Sequence, residues 1–500
     1  MNNSKSAQTS WFNHLNCANR KIALIDGVQA ITYTDLDHQI DQLAISLLAG
    51  RPDLNEERIA FFMPASLQYV TTLFAIWRAG GIAVPLNVHA AIPELEHVLS
   101  SAGVTRLLID TDCEPILADL CASLKVVLVD PTRDGVVNIS ALPLIEPARR
   151  AMILFTSGTT SKPKGVVSTH NNIRAQITSL IEAWAWRAED TIPLFLPLHH
   201  VHGIINVLCC GLYAGASVSL FPKFDMETIL EQVRERRYSV FMAVPTIYVK
   251  IIQHLESLDP VQRQAICAGF GAMRLNVSGS AACPVKVYQQ WLALTGQTLL
   301  ERYGMTEIGM AISNPYTGER RAGAVGIPLP GVTVALFDDD NRIIETEQTP
   351  GEIRIKGDNV FLEYWQNPAA TADSFRDGWF CTGDVAVVES GYYRILGRSS
   401  TDIIKSGGYK LSALEIEGTL LTHEAVAECA VIGVDDETWG EAVTAFLVLK
   451  PDCKLDYAQL KPWCEQMMSA YKIPKKLLCV KSLPRNAMGK VIKPELKKLL

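Results

Sequence analysis

Cysteine pairs at metal-site spacing are missing from this chain: its twelve cysteines over 500 residues include no Cys-x-x-Cys, so neither a cysteine metal site nor a disulfide framework is expected. Only Cys209 and Cys210 adjoin, and they lie in an apolar segment, as buried reduced thiols of an intracellular protein would. An excess of positive charge is missing too. Lys and Arg number 46 against 53 Asp and Glu, a net charge of -7, which excludes the basic footprint of a nucleic-acid binder. The first fifteen residues hold Asn, Ser, Gln and single aromatics with no apolar h-region, so no secretory leader is expected. There is no acid before Asp26 and there are few bases (Lys5, Arg20, Lys21); the cytoplasm is the expected compartment, with the mitochondrial matrix as the alternative. No run reads as a membrane span. Residues 191–222 carry no Asp, Glu, Lys or Arg, but Pro193, Pro197, Asn206, Gly203, Gly211, Gly215 and three histidines interrupt them, which suits a strand, loop and helix inside a large core. Two common nucleotide fingerprints are absent as well. Counting from Gly158, the Walker A pattern meets Pro163 where it needs glycine, and the Gly269/Gly271 stretch has Arg274 where the dinucleotide pattern needs its third glycine.

What is present centres on residues 156–165, Thr-Ser-Gly-Thr-Thr-Ser-Lys-Pro-Lys-Gly. A short apolar run at 152–155 precedes it, as a buried strand would. Small hydroxyl residues, two glycines and two lysines cannot build a core. They can wrap a polyphosphate, because glycine admits the backbone closely, successive N–H groups form an anion nest, hydroxyls donate and lysine supplies charge. A mobile surface loop is the plainer reading of the same composition.

Around this loop, strand-like runs at 58–63, 81–86, 106–109 and 126–129 alternate with helical spacing at 67–79 and 92–102. The first strand is placed at 21–26, and a helix starts from Thr34 with acids in its first turn. The alternation resumes after 152, with strands at 218–221, 240–244 and 275–277 and helices at 226–236 and 284–294. Such alternation predicts an α/β fold: mostly parallel sheets covered by helices. Residues 332–397 are rich in turns between short β-prone runs and predict a small antiparallel β unit. After a hydrophilic run at 398–401, a smaller α+β domain is expected, with helices at 412–421 and 457–468, strands at 426–433 and 442–449, and a basic tail. The expected division is 1–398 for the large domain and 399–500 for a smaller, mobile one.

Three further stretches give the loop its meaning: Glu301-Arg-Tyr-Gly-Met-Thr-Glu307, Gly378-Trp-Phe-Cys-Thr-Gly-Asp384 with Gly397-Arg398 after it, and Pro484-Arg-Asn-Ala-Met-Gly-Lys490. In this order, over nearly the whole chain, the set resembles the adenylate-forming superfamily of acyl-CoA synthetases, peptide-synthetase adenylation domains and luciferases. Residues 274–281, 301–310 and 314–332 look most like its malonyl-CoA synthetase branch. The resemblance implies two half-reactions: a carboxylate attacks the α-phosphate of ATP to give acyl-adenylate and pyrophosphate, and the thiol of CoA then displaces AMP. It assigns Thr156, Ser157, Gly158, Thr159, Thr160 and Lys164 to the β- and γ-phosphates, where preorganised donors meet the charge of the departing pyrophosphate. Tyr303 would stack on adenine, Thr306 donate to phosphate and Glu307 hold Mg2+; one carboxylate completed by ATP oxygens and water is a common Mg2+ arrangement. Asp384 and Arg398 would hold the ribose. Lys490 would bridge the attacking carboxylate and the α-phosphate, offsetting the repulsion between two anions. For thioester formation the small domain would turn about Ser400, bringing Gly407, Gly408 and Tyr409 to the adenylate in place of Lys490.

The acyl pocket is read from four places. His200 matches the histidine at the mouth of that pocket and His202 is placed beside it; three close histidines could suggest zinc, but no Cys, Asp or Glu accompanies them. Ser278 and Gly279 are expected along the adenylate, and Leu208 and Met310 near the acyl chain, where they would limit its size. Arg274 precedes Ser278 in an apolar run, and a charge entering a core must be paired. Its partner is either the second carboxylate of a short dicarboxylic acid or an internal acid such as Glu301. The expected activity is malonate–CoA ligation. The alternatives are a methylmalonate or short monocarboxylate ligase, acyl transfer to a carrier-protein thiol, and a non-catalytic nucleotide-binding homologue. The oligomeric state is not readable from the sequence.

Overall fold

The computed structural model describes residues 20–110, 114–129, 142–156, 163–406, 409–485 and 491–500. A sheet of seven strands follows the order Glu363–Tyr364, Lys164–Thr169, Arg150–Thr156, Ile82–Pro85, Arg58–Phe62, Arg106–Ile109, Val127–Val129. The strands from Arg150–Thr156 to Val127–Val129 run parallel, while Lys164–Thr169 returns antiparallel beside Arg150–Thr156. Helices cover it, as both-face burial of a parallel sheet requires; Ala151, Met152, Ile153 and Leu154 are all buried. Helix Leu67–Arg78 starts where the Ser66 side chain accepts from Tyr69 N, and Tyr33–Leu48 where Thr32 accepts from Asp35 N. Caps of this kind contribute about 1 kcal/mol each.

A second sheet orders Gln29–Thr32, Ile22–Asp26, Ser217–Leu220 and Thr191–Leu194, and a third orders Val240–Ala243, Leu275–Ser278, Leu300–Met305, Gly309–Ser313 and Ile327–Pro328. In the third sheet the first three strands are parallel and the chain then folds back through a hairpin at Met305–Gly309. One large core joins the second and third sheets, with Trp77, Trp184 and Trp291 fully buried in it. Open parallel sheets bind ligands in the crevice beyond the carboxyl ends of their strands. Here those ends carry Ser278-Gly279 and the hairpin holding Thr306 and Glu307.

The compact units are Met1–Thr333 with Lys356–Gly378, and Val334–Ile355 with Trp379–Leu500. The boundary expected at 398 therefore falls inside the second unit. The reason lies in the hairpin Trp379–Glu389/Tyr392–Arg398, which is tied to the strands and helix after it: Ala413 N donates to Asp402 O and Ser412 Oγ to Leu396 O. The second unit holds the expected antiparallel strands. Its other sheet orders Tyr409–Ser412, Ile403–Ser406, Gly440–Leu449 and Val426–Asp436, with Lys476–Cys479 also beside Gly440–Leu449. Helix Ala413–Leu420 packs Ile416 and Leu420 into the core of this sheet with Val431, Val443 and Leu447. Among the described residues no helix is long and apolar enough to cross a membrane.

Candidate functional site

Thr156 is the last residue of Arg150–Thr156 and lies opposite Lys164, the first of the returning strand. The loop is thus held at both ends by an antiparallel pair, with Thr156 Oγ1 3.5 Å from Lys164 O. Ser157, Gly158, Thr159 and Thr160 lie outside the described residues. From Lys164 the site extends by contact. Its ammonium lies 4.9 Å from the centre of the Tyr364 ring, and Tyr364 Oη donates to Glu307 Oε1 at 2.9 Å. A cation, a phenol and a carboxylate follow one another, and Glu307 is only 6% exposed. Its backbone is fixed as well, since Glu307 O accepts from Phe361 N at 2.7 Å.

Thr306 and Glu307 occupy the hairpin turn, closed by Ile308 N donating to Met305 O at 3.2 Å. Gly309 comes next at φ +56, where a Cβ would come within 2.2 Å of the Gln176 side chain, so only glycine fits this turn. Tyr303 lies on Leu300–Met305 just before it. Met310 sits opposite Gly304 in the register, and its Cε would be 2.6 Å from a Cβ there. The hairpin thus packs Met310 against Gly304, one residue from Tyr303. Among the described residues no group of three or more His, Cys, Asp and Glu is placed to share a metal ion; Glu307 is a single carboxylate.

His202 opens a π-helical segment, His202–Cys209, that includes Leu208, fully buried in the large core. The segment packs so closely on the preceding chain that a Cβ on Gly203 would be 2.7 Å from Pro197 O. Widened turns of this kind re-aim side chains and are frequent at functional sites. His202 Nδ1 is 3.1 Å from Ser280 Oγ, and Ser280 Oγ in turn is 3.4 Å from Arg302 Nη2. Ser280 has φ +69, a strained conformation for a residue with a side chain, and comes directly after Ser278 and Gly279. Gly279 is required by its neighbour: a Cβ would lie 2.4 Å from the Arg302 guanidinium carbon.

Burial governs the charges here. His200 is held down to about 4 and His202 well below the ordinary imidazole range, each chiefly by desolvation, so both are neutral at pH 7. His199, whose ring lies tilted against His200 with ring centres 4.2 Å apart, is held down to about 3, by burial first. It also borders a cavity of about 210 Å3 lined by Phe195, Leu198 and Lys223 among others. Arg302 is only 5% exposed, and burial lowers it to about 9. It makes no ion pair among the described residues, and its Nε has no partner there. The Nε2 atoms of His200 and His202 and both amide atoms of Asn206 and Asn276 are likewise buried and unpartnered among the described residues. Buried polar groups are normally satisfied, so orphans of this number mark a place built for something polar.

The structure corrects the substrate role expected for Arg274. Its Nε donates to Asp190 Oδ1 at 2.7 Å, its Nη2 to Asp190 Oδ2 at 2.5 Å and its Nη1 to Trp184 O at 2.9 Å. Asp190 is nearly buried and held below the usual carboxylate range, desolvation raising it and the hydrogen bonds from Arg274 and Ser239 outweighing that. The internal pair is the reading that holds, with Asp190 rather than Glu301 as the acid. Geometry gives the reason. Arg274 precedes Leu275–Ser278 and Ser278 ends it, so the guanidinium enters at the amino edge of a strand that reaches the site about 13 Å farther on. Arg302, inside the Glu301–Glu307 motif, carries no role in the sequence reading. The signal that marks it is a charge on a strand, one residue before the expected adenine contact, facing Gly279 just past the end of the neighbouring strand.

In the second unit Asp384 and Arg398 are directly opposite in the register, with Arg398 Nε 3.7 Å from Asp384 Oδ1 and Arg398 Nη2 donating to Thr382 O at 2.8 Å. Ser400 is exposed in the turn between Tyr392–Arg398 and Ile403–Ser406. Tyr409 is 54% exposed and stacks on Tyr471 at 4.6 Å with the rings 8° from parallel. Gly407, Gly408 and Lys490 lie outside the described residues.

The chain is similar to known proteins along nearly its whole length. The AMP-binding enzyme family matches residues 12–365, and the AMP-binding enzyme C-terminal domain matches residues 415–490. The mitochondrial malonate–CoA ligase ACSF3 of Mus musculus is 42% identical over 518 residues, covering 96% of this chain and 88% of that protein. A malonate–CoA ligase of Arabidopsis thaliana is 41% identical over 488 residues, covering 90% of this chain and 79% of that one. Among solved structures, ATP-bound MatB from Rhodopseudomonas palustris is similar with a TM-score of 0.88 at 33% identity, covering 98% of each chain. With both parts of the family matched in order and relatives this similar along nearly its whole length, the chain belongs to the AMP-binding enzymes.

Proposed function

We propose that this protein is an ATP-dependent malonate–CoA ligase. One carboxylate of malonate attacks the α-phosphorus of ATP, the bond to the bridging oxygen breaks, and pyrophosphate leaves with its electron pair. The CoA thiol, losing its proton, then attacks the acyl carbon and AMP departs. The observation that carries the choice of acid is Arg302: a buried guanidinium with no acid partner among the described residues. An arginine lowered to about 9 is still cationic at pH 7. Leaving such a charge buried and unpaired is costly, and a bound carboxylate would supply the missing partner. Fatty acyl groups could not do so. Ser280, in contact with Arg302, and His202, in contact with Ser280, would share that second carboxylate, and Leu208 and Met310 would close the space around a short chain. The relatives named malonate–CoA ligase support the same acid.

The remaining roles accord with the family pattern. Lys164 and the residues after Thr156 would hold the β- and γ-phosphates, Tyr303 the adenine, Thr306 a phosphate oxygen, and Asp384 with Arg398 the ribose. Glu307 would hold Mg2+, which when bound neutralises phosphate charge; its burial and its hydrogen bond from Tyr364 fix the carboxylate for that task. Neutral His200 would line the entry to the acyl group, and Lys490 would act in adenylation. For thioester formation we assign Gly407, Gly408 and Tyr409 to CoA and Ser400 to the pivot, with the smaller domain turning as one body. The mouse and human relatives are mitochondrial by name, which favours the mitochondrial matrix over the cytoplasm.

The test is CoA-ester formation from a panel of mono- and dicarboxylates with ATP and Mg2+. Malonate is expected to give the highest kcat/KM, and AMP and pyrophosphate should appear in equal amounts. A preference for acetate or a longer fatty acid would refute the substrate.

A further inference from the structure

Three amide side chains lie behind the turn that carries Glu307. Asn172 and Gln176 are four residues apart on helix His170–Ala183, a spacing that places both on one helix face. The helix follows directly on strand Lys164–Thr169. Its start is fixed by a capping box, in which Thr169 Oγ1 accepts from Asn172 N at 3.1 Å and Asn172 Oδ1 from Thr169 N at 2.8 Å. With its oxygen so engaged, Asn172 turns its Nδ2 to Asp358 O at 2.8 Å. Gln176 Nε2 donates to the next carbonyl, Asn359 O, at 3.3 Å. Asn359 passes the contact on, its Nδ2 donating to Ile308 O at 2.7 Å. Two residues later Phe361 N donates to Glu307 O. The successive carbonyls of Glu307 and Ile308 are thus both held from residues 359–361, and Gln176 is also the side chain against which Gly309 packs.

Gln176 and Asn359 are almost fully buried. Each spends its N–H on a carbonyl, which fixes the orientation of the amide. Gln176 Oε1 and Asn359 Oδ1 then find no partner among the described residues. One neutral hydrogen bond adds little net stability, and a buried acceptor left unmade costs more. What the amides contribute is therefore geometry. We propose that Asn359, with Gln176 behind it, is a positioning residue for Glu307: the two amides set the place of the turn, and so of the carboxylate, relative to the strand that begins at Lys164. Both act through the turn. The inference rests on the role proposed above for Glu307 and adds to it the groups that hold the carboxylate in register with a phosphate-binding lysine.

The test reads ATP binding by titration calorimetry on the whole protein, without acid or CoA, once with Mg2+ and once with EDTA. Wild type should bind ATP more tightly with Mg2+. Removing a hydrogen-bond partner that orients a metal ligand costs about 10–100-fold in metal affinity. Asn359→Leu, which keeps the volume and loses the N–H, should therefore lose most of the Mg2+-dependent gain while its Kd for ATP in EDTA stays at the wild-type value. A merely structural role would weaken both titrations together. Asn359→Leu with the full Mg2+ gain, or with equal weakening in Mg2+ and in EDTA, would overturn the proposal. Should Asn359→Leu not fold, Gln176→Met is judged by the same two titrations. Glu307→Gln separates the inference from the reading beneath it. If Glu307→Gln keeps the gain, Glu307 does not hold Mg2+ and the inference falls with that role. If Glu307→Gln loses the gain and Asn359→Leu keeps it, the role of Glu307 stands and the inference alone fails.

Discussion

Two arginines decide how the acid is read, and they differ in what surrounds each guanidinium. Arg274 is committed to Asp190 and the Trp184 carbonyl; Arg302 has hydroxyl contact with Ser280 and no acid among the described residues. A sequence shows that a charge enters the core but not what meets it there, since Asp190 is 84 residues from Arg274. Removing one member of a buried pair leaves the other uncompensated, a loss of about 3–5 kcal/mol. Arg274→Ala should therefore lower the denaturant midpoint markedly while leaving KM for malonate within about twofold in the folded fraction. A large rise in KM with unchanged stability would restore Arg274 to the site. Lys493 carries the same lesson: composition marks it as tail, and Asp402 and Glu417, distant in sequence, bury it.

Among the elements, those set by local pattern were legible in the sequence. Alternating apolar runs and helical spacing locate the parallel strands from Arg58–Phe62 to Val127–Val129 and helices Leu67–Arg78 and Ile92–Ala102 to within a residue or so. The Thr306-Glu307 turn and the Asp384–Arg398 pair fall in stretches that the sequence offers only through resemblance to a known family, and most of the loop after Thr156 lies outside the described residues. Two elements were not legible. The π-helical segment His202–Cys209 depends on the close approach of Gly203 to Pro197, a contact that local spacing does not encode. The pairing of Leu24 with Val218 joins strands almost two hundred residues apart, and non-local register of that kind is fixed by the whole core.

At the scale of the molecule, burial of neutral imidazoles ties stability to pH. His170 and His199 are held down to about 3 and His200 to about 4, in each case first by desolvation. A depressed folded value means that the unfolded chain binds protons first. The stability these groups provide is therefore complete above about pH 6.5 and drains away as pH falls toward their folded values. Each shift corresponds to about 3–5 kcal/mol. Denaturation midpoints should fall steadily from pH 7 to pH 4, and His170→Gln should flatten that slope; a profile flat over this range would contradict neutral burial.

We propose that Arg302, buried and without an acid partner among the described residues, selects the second carboxylate of the acid, and the most direct measurement of this exchanges that charge for an apolar group. Isovalerate has the shape of malonate with an isopropyl group in place of one carboxylate. Steady-state kcat/KM for both acids, in wild type and in Arg302→Met, should show malonate favoured by wild type and isovalerate favoured by the variant, a reversal of at least about a hundredfold for a lost charge-assisted pair. If Arg302→Met retains the wild-type ratio of malonate to isovalerate, the second carboxylate is recognised elsewhere and Arg302 does not select the acid.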